Sequence, residues 1–412
     1  MIDDRCGASH PISRRRWLAA AVAGAASVAG CTGHAAVGAP TRQHAALRLL
    51  GSATLAYRRQ FRDTTVGGLS GIDYDPMDDL WYAISDADAP ARFYTLRIAL
   101  NAQGIGEPEL QDVVTMKQAD GTPYPRRGQG QLQADPESIR LRPDTRTLLW
   151  TSEGNRHRGV DPFVREMTLD GRHLRELQLP TMFAMHPDEQ RGPRHNGVFE
   201  GLALTPDGRS AWVAMEHPLL QDGPASSVEA AGAPCRFTLF DLASGQAVRQ
   251  FAYRPESIRR LPIPGLGFAD NGVSEILMID AHRMLVLERG FSLGAGVSLR
   301  LFVVDVRQPE DTLGLPTLRM TRPVEVARKT LVADFDQLGL PRLDNTEGMA
   351  WGPPLPAARV AGIDAAPQRT LLFVSDDNFN PLQITQFAAF AWHDPASAVS
   401  PPITSLLSPK KA

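Results

Sequence analysis

Glu200-Gly201-Leu202-Ala203-Leu204-Thr205-Pro206-Asp207-Gly208-Arg209-Ser210-Ala211-Trp212-Val213-Ala214-Met215-Glu216 is the stretch whose reading decides the fold. It opens on an acid, a small residue and an aliphatic, turns at Pro206-Asp207-Gly208, and returns through a second short apolar run to a second acid. Two short strand-forming runs joined by an Asp-Gly turn carry the signature of an antiparallel hairpin.

The same unit recurs along the chain. Ser70-Gly71-Ile72 leads to Ile84-Ser85-Asp86, and Glu137-Ser138-Ile139 leads to Thr151-Ser152-Glu153. Glu275-Ile276-Leu277 leads to Val286-Leu287-Glu288, and Glu347-Gly348-Met349 leads to Val374-Ser375-Asp376. First position to second acid is 16 residues in three units (86 − 70, 153 − 137, 216 − 200) and 13 in the fourth (288 − 275). The fifth spans 29 (376 − 347) because of the Pro/Ala-rich insertion from Gly352 to Gln368. A second alternating pair is read after each hairpin, as in Phe237–Leu242 turning at Ser244-Gly245 into Val248–Phe251. Alternation of period two with turns between marks strands throughout, and no long helical period interrupts it.

Four strands per unit, repeated, predict an all-β chain folded as a β-propeller, in which radial repetition leaves only short, protected strand edges. A β-sandwich is the alternative, but sandwiches rarely repeat a four-strand unit with fixed acid spacing. Five units are visible, and a sixth blade has room in 112–134 or 252–273. The strand-like stretch from Leu47 to Phe61 is expected to close the ring by pairing with the last blade.

Outside the repeats the ends read as an address and a tail. Ser13-Arg14-Arg15-Arg16-Trp17-Leu18 matches a twin-arginine export signal. The apolar run that follows is too short for a permanent membrane span. Val28-Ala29-Gly30-Cys31 resembles a lipobox, with Cys31 the lipidated residue of a protein held at the periplasmic side or outer membrane. This divides the chain into a signal (1–31), a linker (32–45), the propeller (46–395) and a Ser/Pro-rich tail (396–412) expected to be disordered. The leader carries +2, so the net charge of −3 becomes −5 in the mature chain. Without basic blocks, nucleic acid is not an expected partner. The expected state is a monomer touching the membrane only through its anchor. One cysteine, Cys235, remains in the body, so no internal disulfide supports the fold.

The acids carry the chemistry. The first strand of each propeller blade lines the axial channel, so Glu137, Glu200, Glu275 and Glu347, with Ser70 in the equivalent place, should converge on one axis. Carboxylates gathered in a partly dry cavity repel one another unless a cation sits among them. Calcium, a hard ion that takes six to eight oxygens in irregular geometry, suits such a set. Asp376 and Asp377 join the expected metal ligands. Asp86, Glu153, Glu216 and Asn378 are placed at the rim, and Arg156, Arg289 and Glu288 beside the reacting group. No Gly-x-Ser-x-Gly elbow, His-Glu-x-x-His site, phosphate loop or dinucleotide fingerprint is present.

At these residues the chain resembles the phytase-like family known as "esterase-like activity of phytase". The matching stretches are Gly68–Ile72, Asp135–Ile139, Asn196–Leu202, Gly272–Ile276 with Leu287-Glu288-Arg289, and Asn345–Met349 with Ser375–Phe379. The resemblance implies phosphoester hydrolysis, by analogy with calcium-dependent propeller phytases in which calcium and basic side chains hold phosphate while a metal-bound water attacks. Arg156 and Arg289 would neutralise phosphate charge. No lysine cluster matches a polyphosphate such as phytate. The competing expectation is a propeller without catalysis that binds an envelope ligand or protein.

Overall fold

The computed structural model describes residues 46–395 apart from 88–89, 127–132, 188, 265–266, 357–358, 361–362 and 365–366. The export signal, Cys31, the linker and the tail lie outside the described residues.

Five four-stranded antiparallel sheets follow one another along the chain, each a blade. Blade I is built from Leu69–Asp75, Leu80–Ser85, Arg92–Arg97 and Glu109–Thr115, and blade II from Pro136–Arg142, Thr147–Ser152, Phe163–Thr168 and His173–Glu176. Blade III comprises Phe199–Leu204, Ser210–Met215, Cys235–Asp241 and Ala247–Tyr253. Blade IV comprises Ala269–Met278, Arg283–Ser292, Gly296–Asp305 and Lys329–Asp334. Blade V takes Thr346–Leu355, Gln368–Ser375 and Thr385–Trp392, and its outermost strand is Leu47–Leu55 from the other end of the chain. The fold is an all-β propeller of five blades, and no sixth forms among the described residues of 112–134 and 252–273. Leu47 faces Trp392 and Leu55 faces Thr385, so the expected closing strand seals the ring and ties both ends of the domain together.

The core is the packing of each blade's face on the next. Separate apolar clusters fill the seams: Leu372, Phe387 and Ala389 of blade V meet Trp81 and Tyr94 of blade I, and Ile84 and Phe93 meet Ile139 and Trp150. Strands buried on both faces read as near-continuous apolar runs, and this is why Leu148-Leu149-Trp150 and Ala211–Met215 carry so little polarity.

The innermost strands share a local irregularity that matters for the site. Each pairs with its neighbour through a one-residue register shift, and the extra residue is Ser70, Glu137, Glu200, Ser274 or Glu347. A bulge leaves its extra residue unpaired and re-aims its side chain. The residues that follow are Gly71, Ser138, Gly201, Glu275 and Gly348. They are small in four blades because the inner strands nearly touch. A Cβ on Gly71 would lie 2.7 Å from the Glu137 carbonyl oxygen and 2.8 Å from the Ser138 Cα. Those neighbours are backbone and have nowhere to go. Gly71→Ala is expected to destabilise the domain by about 1–3 kcal/mol, read as a lower urea midpoint with unchanged slope. No loss would mean the inner strands are looser than described.

Candidate functional site

The bulges fix which residues reach the mouth of the channel. In four blades the second acid, or the residue in its place, is set by the strand pairing. The Asp86, Glu153, Glu216 and Asp376 amides donate to the carbonyls of Gly68, Asp135, Val198 and Asn345, each two residues before a bulge. In blade IV the residue two before the bulge, Gly272, pairs with Arg289. The fifth member of the ring is therefore a cation. Blade IV runs one residue out of the frame expected from sequence: its unit spans Ser274 to Arg289, and Glu275 and Glu288 point elsewhere.

Glu275 sits one layer deeper, on the axis. Its carboxylate pairs with Arg140 at 2.8 Å, both side chains essentially fully buried, and accepts from the Leu202 and Ile276 amides (2.9 Å each) and Ser138 Oγ (3.0 Å). Arg140 in turn donates to the carbonyls of Ile72, Ile139, Ile276 and Met349, drawn from four blades. This pair plugs the channel, so Glu275 is part of the plug and not of the mouth. Burial pushes its carboxyl up to about 7 against the opposing pull of Arg140.

Glu288 is fully buried in a different network. It accepts from Tyr253 Oη (2.7 Å), Lys329 Nζ (2.6 Å), the Glu256 amide and Asn271 Nδ2 (3.0 Å each). Asn271 and Lys329 belong to blade IV itself, Tyr253 ends the outer strand of blade III and Glu256 lies in the loop that follows it, so Glu288 ties blade IV internally and to its neighbour. Arg156 is likewise committed to structure: its guanidinium donates to the carbonyls of Arg191, Pro193, His186 and Glu189, pinning that loop. Neither residue is brought to the acids.

What remains at the mouth is a dense acid set. Asp86, Asp135 and Glu137 offer ligand oxygens within 4.8 Å of one another, as do Glu153, Glu200 and Glu216. Glu347 and Asn345 face Arg289, which donates to Glu347 Oε1 at 2.7 Å and Glu216 Oε1 at 3.0 Å. Burial works against the charge of Arg289, but Glu347, Glu216 and Glu200 more than offset it and hold the guanidinium firmly charged. Glu153 Oε1 accepts from the Gly197 and Val198 amides at 2.7 and 2.6 Å, which locks its orientation.

Glu200 differs from its neighbours. It is 6% exposed and has no hydrogen-bond partner among the described residues, although Glu216 and Glu153 stand beside it. Burial, then the charges of Glu216, Glu153 and Glu347, push its carboxyl well above the usual carboxylate range, with Arg289 opposing. A buried carboxylate in acid company without a donor is unfavourable in the protein alone. The oxygen-only donor set suits a hard divalent cation. At the bulge of blade IV, Ser274 Oγ is buried with no hydrogen-bond partner among the described residues.

Asp376 and Asp377 shape the rim. Asp376 accepts from the Asn378 amide at 2.7 Å, and Asp377 Oδ1 accepts from the Gly68 amide at 3.0 Å and Phe379 at 3.1 Å, tying blade V to blade I. Asn378 adopts a positive φ of 47° in that turn. Three residues that sequence reasoning did not single out also belong here: Asp135, His217 and Asp270. His217 Nε2 lies 3.3 Å from Asp270 Oδ1 and 3.5 Å from Glu216 Oε2. Asp135 opens the family-like stretch Asp135–Ile139, and its place two residues before the bulge at Glu137 brings it to the mouth.

No helix among the described residues is long and apolar enough to cross a membrane. A search of curated proteins found no match. Solved structures of similar trace include an endo-arabinase of Bacteroides thetaiotaomicron, at 10% identity over 80% of this chain and 95% of that one, TM-score 0.39. A hydrazine synthase of Kuenenia stuttgartiensis matches at 10% over 77% and 81%, TM-score 0.34. A periplasmic gluconolactonase of Pseudomonas aeruginosa matches at 14% over 80% and 87%, TM-score 0.32. Similarity at this level speaks to neither substrate nor chemistry. Residues 64–379 match the family described as "Phytase-like: Esterase-like activity of phytase", and the chain belongs to that family.

Proposed function

We propose that the protein is an exported, calcium-dependent phosphoester hydrolase whose working site is the acid mouth of the propeller. The observation that carries this reading is Glu200, a buried carboxylate without a hydrogen-bond partner among the described residues and flanked by Glu153 and Glu216. When bound, calcium supplies positive charge to a phosphoryl oxygen and lowers the barrier to attack by water. Glu153, Glu200 and Glu216 would hold it, with Asp86, Asp135 and Glu137 as a second oxygen set. Arg289, fixed between Glu216 and Glu347, orients those carboxylates. His217 and Asp270 stand beside Glu216, within 3.3 Å of each other. Export through the twin-arginine signal, anchoring at Cys31 and a monomeric state belong to the same proposal.

A second reading is a propeller without catalysis that binds an envelope ligand, with calcium structural. It is favoured by the engagement of both terminal nitrogens of Arg289 with Glu347, Asn345 and Glu216, which leaves its fork turned toward protein rather than an incoming phosphate.

The test is calcium titration of the purified protein, following both melting temperature and phosphate release from a panel of alkyl, aryl and inositol phosphates. Calcium should raise the melting temperature by mass action and switch on release from at least one ester. Stabilisation without release selects the binding reading. No response of either kind removes calcium from both.

A further inference from the structure

The Arg140–Glu275 plug divides the channel, so the opposite mouth is a separate compartment. There the inner strands end, and the chain forms a cavity of about 460 Å³. That size lies within the usual range for small-molecule sites. Its walls come from blades I, II, III and V: Asp73 and Tyr74, Leu141 with Asp144, Leu204 with Asp207, and Trp351.

The chemistry of this wall is one-sided. Three carboxylates line it and no lysine, arginine or histidine does, although Asp144 also pairs with Arg142 at 3.0 Å. The side-chain donors that line it already serve the protein: Tyr74 Oη donates to Asp79, Thr205 Oγ1 to Asp207, and Trp351 Nε1 to the Met278 carbonyl. The Leu141 amide donates to Asp73 Oδ2 at 2.8 Å. Pro76, Pro143, Pro206 and Pro354 complete the rim, and proline has no N–H to offer. Acceptors and two aromatic side chains remain. An anion or a neutral acceptor would meet no uncommitted side-chain donor on this wall. A ligand that brings its own N–H donors and positive charge would find carboxylates to meet it and aromatic surface to cover its methylenes. The prolines also hold the rim in shape before binding, which lowers the ordering penalty.

We propose that this second mouth is a binding site for a small organic amine of the diamine or polyamine class, independent of the acid mouth. Amine binding there would hold whether or not the acid mouth hydrolyses esters.

Isothermal titration of the full protein with spermidine, at saturating calcium and low salt, tests it, with 1,5-pentanediol as a shorter, neutral control. Spermidine is expected to bind one site and pentanediol not to bind. Asp144→Asn combined with Asp207→Asn should weaken spermidine at least tenfold; Asp144 is more than half exposed and its partner Arg142 keeps Glu166, so the fold should survive both changes. Trp351→Leu should weaken it severalfold, with circular dichroism confirming an intact fold. Glu200→Gln at the acid mouth should leave it unchanged. The proposal is overturned if spermidine does not bind, if the diol binds equally, if the double variant binds as wild type, or if Glu200→Gln abolishes binding. That last outcome would place the amine among the acids of the first mouth.

Discussion

Replacing Arg140 by methionine is expected to destabilise the protein by about 3–5 kcal/mol, the penalty for stranding one partner of a buried ion pair. Methionine keeps most of the volume, so the loss is electrostatic rather than a cavity. Glu275 would keep the Ser138 hydroxyl and two amides but lose its cation, and the carbonyls of Ile72, Ile139, Ile276 and Met349 would lose their donor. Glu275→Gln should cost less, because Arg140 keeps those four carbonyls. The pH dependence separates the two. Glu275 has its carboxyl pushed up to about 7 in the fold, from near 4.5 when unfolded. The folded state therefore holds the extra proton between those values, and stability falls as pH rises from about 4.5 to about 7. The contribution is at most about 3 kcal/mol. Glu275→Gln should flatten that slope, and Arg140→Met should extend it to higher pH. Urea unfolding at pH 5 and pH 8 in chelator reads all three proteins. A loss below 1 kcal/mol for Arg140→Met at pH 8 would show that the pair does not hold the axis together.

The hairpin units were legible in sequence because backbone pairing imposes them. Period-two alternation, Asp-Gly turns and a 16-residue interval each reflect one hairpin of fixed length, and the closing strand at Leu47–Leu55 follows from the same alternation. The slip in blade IV has an equally physical origin. Ser274-Glu275 and Glu288-Arg289 each place an acid beside the true ring position, and a one-residue shift turns a side chain from one face of a strand to the other. A signal that avoids the slip was present: aligning on the aliphatic residues Ile72, Ile139, Leu202, Ile276 and Met349 puts Glu275 among the small residues Gly71, Ser138, Gly201 and Gly348. Arg140 was not legible, since its partners are backbone carbonyls up to 209 residues away. Arg156 misled for a related reason: its basic company in sequence, Arg156-His157-Arg158, says nothing of the carbonyls that surround it.

Glu200→Gln is expected to reverse its own effect on stability according to whether calcium is present. Without metal, the native protein carries a buried carboxylate that no donor satisfies and that Glu216 and Glu153 repel. Removing the charge should stabilise the fold by about 1–3 kcal/mol, the usual size of a relieved desolvation penalty. Because the Glu200 carboxyl is held well above its unfolded value, its contribution is present at low pH and lost as pH rises. The advantage of the variant should therefore be widest at high pH and close on acidification. With calcium at a hundredfold excess over its dissociation constant, the wild-type protein gains about 2.7 kcal/mol that the variant forfeits. The order of stability then levels or inverts. A carboxylate with a purely structural part would lower stability on substitution under both conditions. Glu216→Gln is the contrasting case: it removes a partner of Arg289 and should destabilise with or without calcium. Paired unfolding curves in chelator and in calcium decide it. A Glu200→Gln protein less stable than wild type in chelator would mean that something in the fold already satisfies that carboxylate, and with it would go the case for a cation at the mouth.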